Sequence, residues 1–303
     1  MCATCGCETE MTATIHNLQT GVSSSIMRDP PPHRHEDGHE HDHQHPHTHG
    51  DVAGRDKTHD HGHVHEGPHH HTEDHDRNRP GTEVNLDLRI LAKNDALAAK
   101  NRAWFAGREI LVLNLVSAPG AGKTTLLERT IRDLRDELRL SVIEGDQATS
   151  SDGERILAAG APVVQVNTGA GCHLEADMVA RGIAELKPTT GAVILIENVG
   201  NLVCPALFDL GERAKVVILS VTEGEDKPLK YPHMFRAAKV MILNKTDLLP
   251  HLDFDVARVI ANARQVNPEI LVLQVSARTG EGLDTWYAWL RQESARAREE
   301  AFN

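Results

Sequence analysis

The chain has 303 residues, of which 40% are hydrophobic, 25% charged and 3% aromatic, and its formal net charge is −12. This length corresponds to about two domains' worth of chain at roughly 150 residues each. The acidic balance argues against a nucleic-acid partner, no apolar run nears the roughly 18 residues of a membrane span, and the beginning of the chain lacks the features of a secretory signal. An odd number of cysteines, 5, argues against a disulfide scaffold, so we expect a cytoplasmic protein with available thiols.

Two segments precede the predicted folded domain. Residues 1–28 comprise a cysteine-bearing head followed by a polar connector that is rich in serine and threonine. Residues 29–82 hold 16 of the 20 histidines, between His33 and His75, and 12 acidic against 5 basic side chains, which gives 5 − 12 = −7. Such a segment is predicted to be disordered without a ligand, because it buries too little apolar surface to offset the entropy of ordering. Its imidazoles predict metal-binding capacity, with a solvated spacer or an affinity tag as the alternatives.

Residues 83–303 have the pattern of a folded α/β domain. A helical stripe of apolar residues predicts an amphipathic helix over 84–106. Continuous Val, Ile and Leu runs then alternate with amphipathic segments, as in strands that are buried on both faces of a parallel sheet. We therefore predict a doubly wound, mostly parallel α/β domain. The predicted strands are 110–116, 140–144, 162–166, 191–196, 215–221, 238–243 and 270–275.

A glycine-rich turn follows the first predicted strand and opens a helix. It resembles a P-loop, G-x-x-x-x-G-K-[ST], with Ser117 at the position of the first glycine. Backbone N–H groups would wrap the phosphates, Lys123 would reach the β- and γ-phosphates, and Thr124 would bind Mg(II). A chance glycine-rich turn is the alternative. The predicted phosphate-binding residues are Ser117, Gly120, Ala121, Gly122, Lys123, Thr124 and Thr125.

Two later strand ends predict that the base is guanine. Asn244, Lys245 and Asp247 form an N-K-x-D pattern, in which the carboxylate can accept the ring N1–H and the 2-amino group of guanine. Ser276 and Ala277 follow the last strand and resemble the loop that donates a backbone N–H to guanine O6. Adenine offers neither of the two donors, so GTP is the predicted substrate.

Further carboxylates lie at the ends of two other predicted strands. Glu197 and Gly200 form an E-x-x-G variant of the D-x-x-G switch, in which the carboxylate would face Mg(II) and the glycine N–H would sense the γ-phosphate. Asp146 is a second Mg(II) candidate, with an N-cap of a helix at 151–158 as the alternative. The predicted catalytic residues are therefore Lys123, Thr124, Asp146 and Glu197. No water-positioning residue stands out in the sequence, so we expect slow GTP hydrolysis.

The five cysteines fall into two candidate metal sites. Cys2, Cys5 and Cys7 place three soft thiolates on a short stretch of chain, which suits square-planar Ni(II) or tetrahedral Zn(II), with a redox pair as the alternative. Cys172 and His173 are predicted to open a helix over 173–186, whose dipole would favour a thiolate.

Cys204 lies four residues beyond Gly200 and completes the second site. Three protein ligands would leave a position open for water, a transferred ion or a partner subunit. The alternative is that these cysteines are small buried hydrophobic residues.

Six motifs together resemble the hydrogenase-maturation nickel-insertion GTPases of the HypB family: CATCGC, SAPGAGKTTLL, TGAGCHLEADM, ENVGNLVCP, SVTEGEDKPLKYP and NKTDLLP. The resemblance covers residues 2–7 and essentially all of 83–303. It implies a SIMIBI-class GTPase domain, a homodimer promoted by GTP and metal, and delivery of Ni(II) to the large subunit of [NiFe]-hydrogenase. A HypA-type accessory protein and a nickel-prolyl-isomerase are the other implied partners.

The resemblance also implies roles for individual residues. Cys2, Cys5 and Cys7 match the family's high-affinity nickel motif, whereas Cys172, His173 and Cys204 match its nickel or zinc site at the dimer interface. Leu248 and Leu252 fall where the family has apolar dimer contacts. The alternatives are a urease-accessory-type nickel GTPase and a nickel storage protein in which the GTPase domain is incidental.

Overall fold

The computed structural model describes residues 13–26, 80–146, 151–169 and 171–301, and at Ile26 and residues 80–87 it describes the backbone alone. Cys2, Cys5 and Cys7 and the histidine-rich segment as far as residue 79 lie outside these residues, so what the sequence predicts for them stays a prediction. Within the described ranges no helix is long and apolar enough to cross a membrane.

Nine strands of the described residues form one sheet in the order β2-β1-β5-β4-β6-β3-β7-β8-β9. All neighbouring strands are parallel except for the pairs β1–β2 and β1–β5. The strands are β1 (Ala13–Asn17), β2 (Ser23–Ile26), β3 (Leu111–Ser117), β4 (Leu140–Asp146), β5 (Val163–Asn167), β6 (Val193–Glu197), β7 (Ala214–Ser220), β8 (Ala238–Asn244) and β9 (Leu271–Gln274).

Helices connect the parallel strands and cover both faces of the sheet. Leu111, Leu113 and Leu115 of β3 belong to a core cluster on one face, whereas Val112 packs into a second cluster on the other face. The helices are α1 (Pro80–Ala106), α2 (Lys123–Leu134), α3 (Ser151–Ala159), α4 (Ala176–Leu186), α5 (Cys204–Leu207), α6 (Lys227–Lys230), α7 (Pro232–Ala237), α8 (Val256–Val266) and α9 (Leu283–Glu300), with a 3-10 helix over Thr246–His251.

The predicted α/β fold is confirmed. Each of the seven predicted strands is present with its ends within two residues of the predicted ones, and the predicted helix over 84–106 lies inside α1. The difference lies in residues 13–26, for which the sequence predicts a polar connector. They form a hairpin whose first strand pairs with β5, with Ile15 opposite Val166, and so extend the sheet at its edge.

Parallel strands direct their carboxyl ends to one edge of the sheet, where the connecting loops form a crevice. The carboxyl ends of β3, β4, β6 and β8 lie at this edge, and most of the residues that the sequence marks as functional lie at or near these ends. The fold therefore brings together segments that are more than 100 residues apart in the chain.

Candidate nucleotide and metal site

The loop between β3 and α2 forms one wall of a cavity of about 650 Å³ at the carboxyl edge. Gly120 and Gly122 have φ angles of 78° and 92°, in the left-handed region that favours glycine. A Cβ atom on Gly122 would lie 2.6 Å from the Nδ2 atom of Asn244, so close packing also requires glycine there. Helix α2 begins at Lys123 without a side-chain N-cap, which leaves its first N–H groups available to an anion.

Lys123 and Thr124 both contact one buried carboxylate. The Lys123 Nζ atom lies 2.9 Å from Oε1 of Glu197, and the Thr124 hydroxyl donates to the same oxygen at 2.7 Å. Glu197 is the last residue of β6 and only 1% exposed. The structure thus joins three of the four predicted catalytic residues directly.

The fourth predicted catalytic residue, Asp146, ends β4 and lines the same cavity. Beside it lies Glu144, a carboxylate that the sequence analysis missed. Glu144 pairs with Glu197 across neighbouring strands, and one oxygen of each, Oε2, is buried without a hydrogen-bond partner. Burial is the largest cause that raises the pKa of Glu144, to about 9, and the charges of Glu197 and Asp146 add to it. The position of Glu144 after the apolar run of β4 is the feature of the sequence that could have identified it as a functional residue.

We expect the stability of the nucleotide-free protein to fall as the pH rises from about 4.5 to about 9. Over this range folded Glu144 keeps a proton that the unfolded chain has released, so ionisation favours unfolding by at most about 1.4 kcal/mol per pH unit. Glu144→Gln, which is neutral at every pH, should lessen this fall. Denaturant unfolding at several pH values measures it, with exposed Glu137→Gln as the control. Wild-type and Glu144→Gln curves that run parallel would contradict the expectation.

The second cavity, of about 500 Å³, adjoins the first through Gly122, Thr125 and Lys245, which line both. Asn244 connects two walls of this second cavity. Its Nδ2 donates to the Ala121 carbonyl at 3.0 Å, and its Oδ1 accepts the Ala277 N–H at 3.1 Å. These contacts tie the P-loop to the ends of β8 and β9. The predicted base-binding segments thus meet in one pocket.

Asp247 lies in the wall of this pocket with its orientation fixed. The Ser276 hydroxyl donates to its Oδ1 at 2.6 Å, and the exposed Arg278 guanidinium lies 3.8 Å from its Oδ2. One carboxylate oxygen is therefore engaged by the protein, and the other remains suitable for the donors of a base.

Asp247→Asn should change the preferred base from guanine to xanthine. Ser276 would hold the amide oxygen, so the amide nitrogen would face the base. That donor opposes the 2-amino donor of guanine but matches the C2 carbonyl of xanthine, whereas both bases carry the same N1–H. We expect GDP affinity to fall at least about 100-fold and XDP to bind better than GDP, measured by competition, with exposed Asp136→Asn, which lines neither cavity, as the control. A variant that still prefers GDP would contradict this assignment.

Cys172, His173 and Cys204 lie together, with one ligand atom of each within 4.8 Å of the others; we call them the metal trio. The two Sγ atoms are 2.9 Å apart, and Cys172 Sγ lies 3.7 Å from His173 Nδ1. Phe208 packs on the imidazole, with ring centroids 3.9 Å apart. Two thiols and an imidazole are the donor set that Ni(II) and Zn(II) accept.

The predicted helix over 173–186 is wrong at its beginning. Helix α4 starts at Ala176 with Glu175 as its N-cap, so Cys172 and His173 lie in the preceding loop. The expected effect of a helix dipole on Cys172 therefore does not apply. Leu174 lies in that loop, where it is fully buried and packs against Gly145. In the sequence, this apolar residue continues the apolar pattern of the helix that follows.

The metal trio and the phosphate cavity share a wall. Cys172 lines the cavity together with Gly200 and Asn201, and the Asn201 Nδ2 atom donates to the Cys172 carbonyl at 3.4 Å. A Cβ atom on Gly200 would lie 3.2 Å from Pro119 of the P-loop. The segment 200–201 therefore contacts the phosphate loop on one side and the metal trio on the other.

The fold and the two cavities define a P-loop GTPase. Residues 111–274 match the model of the CobW/HypB/UreG nucleotide-binding domain family. A hydrogenase maturation factor HypB from Rhizobium leguminosarum bv. viciae is 61% identical over 213 residues, which cover 70% of this chain and 71% of that protein. The chain belongs to the HypB family of hydrogenase maturation factors.

Solved structures agree with this assignment. HypB from Helicobacter pylori, in complex with nickel, is 36% identical with a TM-score of 0.63, and the match covers 67% of this chain and 96% of that one. HypB from Archaeoglobus fulgidus is 37% identical with a TM-score of 0.63, over 67% of this chain and 99% of that one.

Proposed function

We propose that this chain is a GTP-hydrolysing nickel metallochaperone that delivers Ni(II) during maturation of [NiFe]-hydrogenase, with GTP-dependent dimerisation gating the transfer. The observation that carries the proposal is the shared wall, since Cys172 belongs to the metal trio and also lines the phosphate cavity. A nucleotide that moves segment 200–201 moves a residue in contact with a metal ligand. The nucleotide can change the affinity for metal only to the extent that GTP and GDP bind the two conformations of this segment with different affinities.

The oxygen atoms around the P-loop fit Mg(II). The Thr124 hydroxyl and Glu197 are already joined, one oxygen each of Glu197 and Glu144 is buried without a hydrogen bond, and Asp146 lies at the same edge. Hard oxygen ligands of this kind are the ones that Mg(II) prefers. When bound, Mg(II) would neutralise charge on the β- and γ-phosphates. Lys123 would then leave Glu197 for the γ-phosphate, and the α2 N-terminus would hold the β-phosphate.

Nickel is the proposed cargo of the metal trio, and zinc is a second ion that its ligands accept. A second copy of the chain is the proposed occupant of the adjacent surface, where Val203 and Leu207 flank Cys204 and are 52% and 54% exposed. Leu252, 39% exposed, is the further apolar contact implied by the family. We also propose a HypA-type protein, a nickel-prolyl-isomerase and the hydrogenase large subunit as partners, and nickel binding by Cys2, Cys5 and Cys7.

The test is to titrate Ni(II) into the full chain with Cys2, Cys5 and Cys7 replaced by serine. Nickel–thiolate charge-transfer absorption then reports the metal trio alone, and a competing chelator suppresses binding by the histidine-rich segment. Affinity and dimer content are measured with GDP and with a non-hydrolysable GTP analogue. We expect different affinities in the two states and more dimer with the analogue, whereas equal affinities and equal dimer content would refute the gating proposal.

A comparison of the wild-type protein with Lys123→Ala distinguishes a metallochaperone from a storage protein. If Lys123→Ala held metal normally and still supported hydrogenase maturation in cells, the GTPase domain would be incidental. Assays of hydrogenase and urease in a deletion strain separate the proposed target from a urease-accessory role.

A further inference from the structure

Four buried polar side chains form a continuous hydrogen-bonded chain beneath the functional site; we call Asn198, Asn114, Glu212 and Lys215 the buried relay. Asn198 Nδ2 donates to Asn114 Oδ1 at 3.2 Å, and Asn114 Nδ2 donates to Glu212 Oε1 at 3.1 Å. The Lys215 ammonium pairs with the same Glu212 oxygen. All four residues are at most 9% exposed, and Asn114 is wholly buried. Apolar residues would pack more easily in these positions, so the polar chain requires an explanation.

The direction of each hydrogen bond in the relay is fixed. Asn198 Oδ1 accepts two backbone N–H groups, those of Val199 at 3.0 Å and Leu174 at 3.3 Å. Because those groups only donate, the amide nitrogen of Asn198 must face Asn114, and the nitrogen of Asn114 must in turn face Glu212. The relay therefore has one arrangement, and turning over either amide would place like groups against each other.

Both ends of the relay reach His173. At one end Asn198 holds the N–H of Leu174, the residue that follows His173 in the chain. At the other end the Lys215 Nζ atom donates to the Phe208 carbonyl at 2.9 Å, and the Phe208 ring packs on the imidazole of His173. The imidazole is thus held from its backbone on one side and from its stacked ring on the other.

The relay also begins inside the loop that faces the phosphates. Asn198 lies between Glu197, which contacts Lys123 and Thr124, and Gly200, which lies against the P-loop. If Glu197 shifts when Lys123 turns to a γ-phosphate, the neighbouring Asn198 shifts with it. When a buried amide moves, its hydrogen-bond partners must either move with it or lose their hydrogen bonds. An unsatisfied polar group costs free energy in a low-dielectric interior, so we expect the partners to move.

We propose that Asn198 and Asn114 are positioning residues that couple the loop 197–200 to the metal trio, an inference that rests on the proposed function. Neither residue is one of the trio's three ligands, and neither lines one of the two cavities. They act by moving the Leu174 N–H and, through Glu212 and Lys215, the Phe208 carbonyl. The orientation of the His173 ring, and with it the affinity for metal, then depends on the nucleotide.

Asn114→Leu tests this, because it keeps the approximate side-chain size and removes both hydrogen bonds at the middle of the relay. Asn114→Ser interrupts the relay with a smaller side chain, in case leucine disturbs folding. The matched control is Thr130→Val on helix α2, which removes a buried hydroxyl that donates to the Leu126 carbonyl and accepts the Nε1–H of Trp286 on helix α9. Each substitution is made in the full chain with Cys2, Cys5 and Cys7 replaced by serine, and thermal unfolding verifies that each variant folds.

The measured quantity is the ratio of the nickel dissociation constants with GDP and with the GTP analogue. We expect a ratio of about fivefold or more in the parent chain. It should fall at least about threefold in both Asn114 variants and stay unchanged in Thr130→Val, while GDP affinity stays within about twofold in all of them. A parent ratio that persists in both Asn114 variants would overturn the relay and leave the proposed function standing. A parent ratio of one would overturn the relay, and together with equal dimer content it would also overturn the gating proposal.

Discussion

Lys123→Met is expected to lower kcat/KM for GTP hydrolysis by about 100- to 1,000-fold. Lys123 would supply a positive charge at the phosphates where negative charge develops, and the loss of one such preorganised group costs about that much. The measurement is phosphate release at several GTP concentrations. A value within threefold of the wild type would contradict the proposed role.

The same substitution should destabilise the protein for a different reason. Glu197 is 1% exposed, and without Lys123 its carboxylate would be buried with no cation. Removing one partner of a buried ion pair costs about 3 kcal/mol or more, so thermal unfolding should shift to a lower temperature. Loss of activity and loss of stability must therefore be separated.

Two further variants separate these effects. Lys123→Met with Glu197→Gln removes both charges, so most of the stability should return while hydrolysis stays lost. Lys239→Met is the matched control. It removes a lysine that pairs with another buried carboxylate, that of Glu293 on helix α9. It should leave kcat/KM within about twofold, since Lys239 lines neither cavity.

The sequence predicts the sheet well because its central strands are buried on both faces. A run such as Leu111–Ser117, in which every residue is buried, needs no tertiary information to be identified as a strand. The hairpin of β1 and β2 gives no such signal. Its first strand buries Ala13, Ile15 and Asn17 in alternation, and its second strand is mostly serine. Only the pairing with β5 makes these residues a sheet edge.

The residues of the candidate site also differ in whether the local sequence predicts them. The P-loop and base-binding residues are predictable because each motif is short and its spacing follows from what a phosphate or a base requires. The buried relay is not, because its members lie on separate strands and loops. Asn114 interrupts the apolar run of β3, as Glu144 ends that of β4, but nothing in the sequence indicates its hydrogen-bond partners. Only the three-dimensional structure shows that these residues connect the Leu174 N–H with the Phe208 carbonyl, on two sides of His173.

Cys204→Ala, in the chain with Cys2, Cys5 and Cys7 replaced by serine, should weaken nickel binding at least about 100-fold. Even the loss of a group that only orients a metal ligand costs about 10- to 100-fold, and Cys204 supplies one of the three ligand atoms of the trio. Nickel–thiolate absorption measures the loss. Val22→Ala, which changes an exposed valine in the hairpin of β1 and β2, is the matched control and should keep the affinity within about twofold.

The pH dependence of nickel binding distinguishes a lost ligand from a distorted loop. Thiols must release their protons to bind a metal, so affinity rises with pH according to the number of thiols that bind. If Cys204 is a ligand, replacing it should lower the rise in the logarithm of the affinity by up to about one per pH unit, relative to the parent chain. A variant with weaker binding but the parent slope would show that Cys204 shapes the loop without being a ligand.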